Sequence, residues 1–322
     1  MSRFIVLDIA FYANSLNYDQ GSGNVQELKK ITKWDGKQYT MVSRYALRYS
    51  ILHHGNQIFG NEKWPLAGNN ELNNDKGVVQ ASGDSKQLIK IFPEFDLFGY
   101  MMTESKQSAN TRSSTATLSH AVSLVPFNYD NHFNANLDVA KRAMKEDKEK
   151  PPINPFPVEE HYTYYVYSIV IDLNRVGFDE KGESVLSKED KEERIEQLLD
   201  SVITLKRQIK GRTEDLSPKV MLIGLYGNKP YQSFKDRICL ADEYQEEVIE
   251  QEENVENGTK KVRRTVKTNK PLFKIYGTTQ KDNCSKEEIK EKVKNFVGQE
   301  DQEEKEEVLF SKADEIEARF PT

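Results

Sequence analysis

Apolar positions along this chain fall into a few short blocks separated by long polar stretches. The first block, residues 3–13, holds Phe4, Ile5, Val6, Leu7, Ile9 and Phe11 and reads as a buried strand. Residues 14–23 are a turn-rich loop of Asn, Ser, Asp and Gly. Residues 39–54 predict a helix, because Val42, Tyr45, Ala46, Tyr49 and Leu52 recur at helical spacing as one apolar face. Gly55 suits its C-terminal cap. At about 100° per residue, Arg44 and Arg48 share a face roughly 120° from that stripe, at the edge of the packed surface. Residues 95–103 and 115–125 read as strands joined by the polar segment 104–114. Residues 162–173 form a strand rich in Tyr, Val and Ile, and 220–226 a shorter, almost wholly apolar strand suited to the middle of a sheet. Between them lies a helix over 187–209, opened by a Ser187/Asp190 capping box and buried along Ile195, Leu198, Leu199, Val202 and Ile209.

Strand, helix, two strands, insertion, strand, helix, strand is close to the split βαβ arrangement, a ferredoxin-like α+β fold in a single domain, 1–322. Its sheet should contain 3–13, 162–173 and 220–226, with both helices on one face. Polar insertions occupy 55–94 and 127–160, and a charged elaboration fills 242–322. Within the latter, Asn257-Gly258 can turn a hairpin between an acidic strand, 246–253, and a basic one, 260–267. Beyond Ser285 the chain reads as charged helix anchored by Ile289, Val293 and Phe296.

Charge changes this picture. The net charge of -6 taken alone argues against nucleic acid, but the charge is segregated. Lys29, Lys30, Lys33, Lys37, Arg44 and Arg48 face one acid, Asp35, within their stretch. Lys260, Lys261, Arg263, Arg264, Lys267, Lys270 and Lys274 face none. Such sorting permits a basic groove on an acidic protein, though charge blocks also serve as solvated faces. No run of about eighteen apolar residues suggests a membrane span. The N-terminal apolar run carries Asp8 and lacks a small-residue cleavage site, so it reads as a strand and not a signal peptide. Cys239 and Cys284 form neither a disulfide framework nor a zinc spacing, which fits a reduced cytoplasm.

Candidate chemistry is sparse. There is no dinucleotide fingerprint and no phosphate loop. His53 and His54 are adjacent and diverge on a helix, and His120 sits among Thr117, Leu118 and Ser119 as a hydrogen-bonded histidine. No metal, cofactor or catalytic group is expected. The basic loop ahead of the helix that opens between Tyr39 and Ser43 offers amides, a helix N-terminus and two arginines, the components of a phosphate site.

Residues 23–30, Gly-Asn-Val-Gln-Glu-Leu-Lys-Lys, and 39–48, Tyr-Thr-Met-Val-Ser-Arg-Tyr-Ala-Leu-Arg, together resemble the N-terminal signature of the DevR autoregulator family, the Cas-seven backbone subunits of type I-B CRISPR Cascade complexes. Residues 96–101, Asp-Leu-Phe-Gly-Tyr-Met, and Arg112 followed by 119–124, Ser-His-Ala-Val-Ser-Leu, resemble two further strands of that family. The likeness covers the first 130 or so residues well and the remainder by element order. It implies an RRM-like palm with finger insertions and a thumb hairpin, repeated along a crRNA. It also implies a non-catalytic role, with target DNA, further copies of the chain and other Cascade subunits as partners. Carried onto this sequence, Asn24, Gln26, Lys29, Lys30, Ser43, Arg44, Arg48 and His120 become the RNA-binding candidates. The 104–114 segment, with Lys106 and Arg112, becomes the candidate thumb, in competition with the hairpin after Asn257. The aromatic motif of standard RRM sheets is absent, so grip through phosphates is favoured over stacking on the sheet.

Two other readings compete. One is a guide-processing endoribonuclease of the same superfamily, which usually carries a glycine-rich C-terminal loop. Here Gly224 and Gly227 flank a strand and no glycine cluster follows. The other is an acidic protein-binding scaffold, consistent with the acids concentrated between Glu287 and Glu317.

Overall fold

The computed structural model describes residues 2–21, 25–75, 78–102, 110–143, 155–241, 245–255, 258–268, 271–278, 280, 282–299 and 304–321. In chain order the N-terminal half runs β1 (Arg3–Asn14), β2 (Lys30–Thr32), β3 (Gln38–Val42), α1 (Arg44–Lys63), β4 (Leu72–Asp75), β5 (Val78–Ala81), α2 (Ser85–Ile91), α3 (Pro93–Phe98), β6 (Tyr100–Met102) and β7 (Asn110–Arg112). Next come β8 (Ala116–Leu118), β9 (Ala121–Ser123), β10 (Asn131–Asn134), α4 (Leu137–Arg142), β11 (Phe156–Glu159) and β12 (Tyr162–Asp172). The remainder is α5 (Lys188–Ile203), β13 (Lys206–Ile209), β14 (Arg212–Asp215), β15 (Val220–Gly227), β16 (Ile238–Leu240), β17 (Gln245–Val255), β18 (Gly258–Thr268), β19 (Leu272–Ile275), α6 (Lys286–Gly298), β20 (Lys305–Lys312) and β21 (Glu317–Arg319).

The protein is a mixed α/β fold around an antiparallel sheet in the order β2-β3-β9-β12-β1-β15-β20, with β8 also paired to β12. The apolar blocks at 3–13, 162–173 and 220–226 are its three central neighbours, β1, β12 and β15. Alternation along β1 sends Ile5, Leu7, Ile9 and Phe11 to one face, where Leu47 and Ile51 of α1 and Leu198 and Val202 of α5 close over them. The two helices therefore share a face as expected, and α6 joins them through Ile289, Val293 and Phe296. On the other face Ala10, Tyr164, Val166 and Leu222 pack against Phe273 and Ile275 of a small sheet, β16-β19-β21. Asp8 ties that sheet down. Its buried carboxylate accepts from Ser233 Oγ at 2.7 Å, the Phe234 amide at 2.6 Å and the Ser168 hydroxyl. Burial pushes its pKa up against those bonds.

Several sequence expectations are corrected. Residues 39–42 belong to β3, so the helix opens only at its cap, Ser43. It runs past Gly55, which is not a cap: an added Cβ there would stand 2.8 Å from Trp64 and Ser201. The helical geometry breaks instead at Gly60, with φ 76°. Residues 93–98 form α3 and not a strand, and Gly99, φ 74°, turns the chain into the short β6. The strand expected over 115–125 is interrupted at Ser119 and His120. The helix opened by the Ser187/Asp190 capping box ends at Ile203, and Ile209 lies in β13. Helix α6 is followed by a further sheet strand, β20. The insertion 55–94 contains the end of α1, a hairpin and α2, and 127–160 contains β10, α4 and β11.

The C-terminal hairpin forms as expected. β17 and β18 pair over eleven registers as a separate two-stranded ribbon. Glu246 stands opposite Lys267, Glu250 opposite Arg263, Glu252 opposite Lys261 and Glu253 opposite Lys260.

A second polar centre is fully buried. Asp96 of α3 accepts from Arg112 Nη2 at 2.7 Å and the Gly177 amide at 3.0 Å on one oxygen, and from Arg194 Nη1 at 3.1 Å on the other. The arginines also donate to backbone carbonyls of Phe178, Arg175, Ile89 and Lys90. Removing one member of such a cluster strands the others' charge. Asp96→Ala is expected to lower unfolding free energy by about 3–5 kcal/mol in urea denaturation; a loss below about 1 kcal/mol, as at an exposed ion pair, would show the cluster to be dispensable.

Candidate nucleic-acid interface

Strand β3 pairs with β9 through Met41–Val122 and Val42–Ala121, then passes directly into α1 at Ser43. That junction brings Ser43, Arg44, Arg48 and His120 together. Ser43 caps the helix by accepting from the Ala46 amide at 3.2 Å, while its own amide donates to Asn17 Oδ1 at 2.8 Å. His120, at the break between β8 and β9, accepts the Arg44 amide on Nδ1 at 3.0 Å. Two amides of the first helical turn are thus already occupied. Of the components expected from the sequence, amides, helix N-terminus and two arginines, the arginines are the ones this helix start leaves to face a phosphate.

Arg44 is exposed, and its guanidinium donates to Tyr45 Oη at 3.0 Å. Arg48 is half-buried, 5.7 Å above the Phe98 ring, and its buried Nε has no hydrogen-bond partner. Both arginines line a cavity of about 160 Å³ with Tyr45, Phe98, Ser114 and Thr117, and among the described residues no carboxylate lines it. Glu94 lies close enough to feel Arg48, but burial raises its pKa more than Arg48 lowers it.

The tyrosines were expected in the buried stripe. Tyr45 is instead 65% and Tyr49 55% exposed, whereas Leu47, Ser50, Ile51, His54 and Gly55 are buried. Counting Val42 as helical rotated the expected stripe; the true one starts from Leu47. The outward face of α1 is therefore aromatic as well as cationic, the combination that holds single strands. Sequence reasoning also missed an aromatic group on the opposite sheet face, where Tyr12 lies 4.4 Å from Tyr162 and 4.6 Å from Tyr164 between ring centroids. The period-2 spacing of Tyr162 and Tyr164 was the available signal.

The other candidates separate from this patch. Lys30 is paired with Glu159 at 2.6 Å and sits 5.1 Å over the Phe127 ring, while Glu159 also accepts the Leu28 amide. Lys29 is half-exposed and 3.7 Å from Asp19. Gln26 bridges to Val158 of β11 through its backbone and accepts from Lys210 with its side chain. Arg112, expected in the thumb, is 4% exposed and held by Asp96 and Glu180, which takes it out of any solvent-facing set. Asn24 and residues 104–109 of the first thumb candidate, Lys106 among them, lie outside the described residues. Among the described residues no cluster of His, Cys, Asp or Glu could hold a metal ion, and no helix is long and apolar enough to cross a membrane.

Fold and patch define a mixed α/β protein built on an antiparallel sheet, with one cationic, tyrosine-bearing helix face. The chain belongs to the family of the CRISPR-associated negative auto-regulator DevR/Csa2, whose model matches residues 5–249. A curated relative, the CRISPR-associated protein Cas7/Cst2/DevR of Myxococcus xanthus (strain DK1622), is 30% identical over 156 residues, 46% of this chain and 50% of that protein. The match thus spans half of the relative's length. Among solved structures, a chain of a CRISPR RNA-guided surveillance complex, pre-nicking, aligns with a TM-score of 0.50 at 13% identity, covering 73% of this chain and 81% of that one. At that identity the likeness is one of fold.

The two arginine environments predict opposite mutational behaviour. Arg44→Ala should leave stability within about 0.5 kcal/mol. Arg112→Ala should cost about 3–5 kcal/mol by leaving buried Asp96 and the carbonyls of Arg175 and Phe178 short of a donor. Parallel thermal and urea melts check this; equal losses would contradict the division.

Proposed function

We propose that this chain is a non-catalytic RNA-binding subunit that repeats along a crRNA, as the backbone of a type I-B Cascade complex in the cytoplasm, and supports pairing of the guide with target DNA. Other copies of the chain and other Cascade subunits are its protein partners. The observation that carries the reading is the outward face of α1, where Arg44 and Arg48 share a cavity with the exposed Tyr45 and, among the described residues, no carboxylate lines it. Family membership supports the CRISPR setting. The order β9-β12-β1-β15, with α1 and α5 packed on one face, supports an RRM-like, ferredoxin-like palm. Protein contacts of this kind read backbone and shape, and base pairing reads sequence.

The fingers are the segments 55–94 and 127–160. For the thumb, the eleven-register ribbon β17–β18 is favoured over 104–114, because it stands as its own sheet and Arg112 is committed to the core. Its opposed charges balance one another in register, which suits an element that displaces strands over one that attracts them.

Arg44→Ala combined with Arg48→Ala is expected to weaken binding of single-stranded RNA by at least about tenfold, since charge-assisted hydrogen bonds contribute about 1.5–3 kcal/mol each. The loss should be similar for unrelated sequences. The salt dependence should become shallower by about 1.4 in log–log slope, for two phosphate contacts at about 0.7 each. Filter binding of two RNAs across a salt series decides it. A loss confined to one sequence, or an unchanged slope, contradicts the reading, as would RNA cleavage by the purified chain that His120→Ala abolishes.

A further inference from the structure

Helix α1 borders a second cavity, of about 230 Å³, between its later turns and the β13–β14 hairpin. Tyr49, His53, Gln57, Lys206, Arg207 and Gln208 contribute to its lining, and among the described residues no carboxylate does. Arg207 is the unusual member. Its Nη1 donates to the Ala46 carbonyl at 3.2 Å and to Ser50 Oγ at 3.3 Å, both neutral acceptors on α1. Its Nε is buried and has no hydrogen-bond partner. No ion pair to it forms among the described residues. Glu214 stands opposite in register, but its carboxylate is engaged by Arg212 Nε at 3.2 Å and the Asn14 amide at 3.1 Å. Desolvation lowers the pKa of Arg207, with only Tyr49 opposing it. A half-buried guanidinium without a counter-charge is a costly arrangement unless an anion completes it.

The location says which anion. Ala46 and Ser50, which hold Arg207, lie on the same helical turns as Arg44 and Arg48. Five residues of helix, Arg48 to His53, advance about 7.5 Å along the axis. The exposed Tyr45 and Tyr49 form a ridge between the two cavities, and Tyr49 packs on His53 with ring centroids 4.0 Å apart. The five residues from Arg48 to His53 also turn about 140° around the axis, so a strand leaving Arg44 and Arg48 reaches this opening by crossing the Tyr45–Tyr49 ridge.

We propose that the cavity between α1 and the β13–β14 hairpin is a second phosphodiester subsite for the same single strand, with Arg207 as its anchoring cation and Lys206 and His53 as flanking donors. This rests on the RNA-binding reading above. Arg207 stands in the free chain as a cation prepared for an absent anion, so it favours binding at the expense of stability.

Arg207→Met, of similar length but uncharged, tests both halves in the full chain. Without RNA its melting temperature should equal or exceed that of the wild type. Its affinity for single-stranded RNA should fall by about tenfold, the effect of one charge-assisted bond. Its salt slope should be shallower by about 0.7, for one phosphate. Arg207→Lys, which keeps the charge and loses the fork, should bind with intermediate affinity, and it serves if the methionine variant does not fold. Wild-type RNA binding with affinity and slope unchanged in Arg207→Met, or in Arg207→Lys where only that variant folds, overturns this subsite alone. A wild type without salt-dependent RNA binding overturns the RNA reading itself and this inference with it. Inorganic phosphate forms the last arm. If it raises the wild-type melting temperature at constant ionic strength while RNA binding of Arg207→Met stays unchanged, the cavity takes free phosphate and the proposal fails.

Discussion

Asp96 has no exposed surface and two cations on it. A lone carboxylate at that depth would be strongly disfavoured, and so would either arginine without it. The three side chains therefore constrain one another, and through them the elements that carry them. Asp96 comes from α3, Arg112 from β7 and Arg194 from α5, and the Gly177 amide adds the turn after β12. Phe98 lies two residues from Asp96, and its carbonyl accepts the Ser114 hydroxyl at 2.8 Å. Phe98 and Ser114 are also the floor against which Arg48 rests. A buried ionic cluster thus fixes the wall of the cavity on α1, and Arg44 and Arg48 inherit their placement from the buried arginines.

The parts legible in the sequence were those where one physical signal dominates. β1, β12 and β15 are near-continuous apolar runs because both their faces are covered, and the Ser187/Asp190 box announces α5 without help from tertiary structure. The misread parts involve competition. Residues 39–42 extend a helical period backwards, but pairing with β9 claims them for the sheet. Residues 95–98 are rich in strand formers, yet burying Asp96 between two arginines holds them helical. The register of a charged pair between distant elements leaves no trace in local pattern.

The same reasoning explains the site. Arg44 and Arg48 were identifiable as neighbours on one face, and they remain so. Lys30 and Arg112 look equivalent to them in sequence, but Glu159 and Asp96 lie 129 and 16 residues away from them respectively, and those carboxylates decide which cations are available. Arg207 offered no signal, since residues 204–209 read as the end of a helix. Its interest arises only when the surrounding acids can be counted and found engaged elsewhere.

The ribbon β17–β18 carries a different kind of information in its register. Among the described residues β17 and β18 pair only with each other, and slippage is the common failure of two-stranded ribbons. Here a shift of two residues would set Glu246 against Thr265 and Glu252 against Thr259, in place of Lys267 and Lys261. The native register opposes four acid–base pairs where the shifted one opposes two, Glu247 with Arg264 and Glu250 with Lys261, so the sequence carries a charge code that favours the native pairing. That code weakens as salt rises, so fidelity of strand alignment in this ribbon is tied to ionic strength.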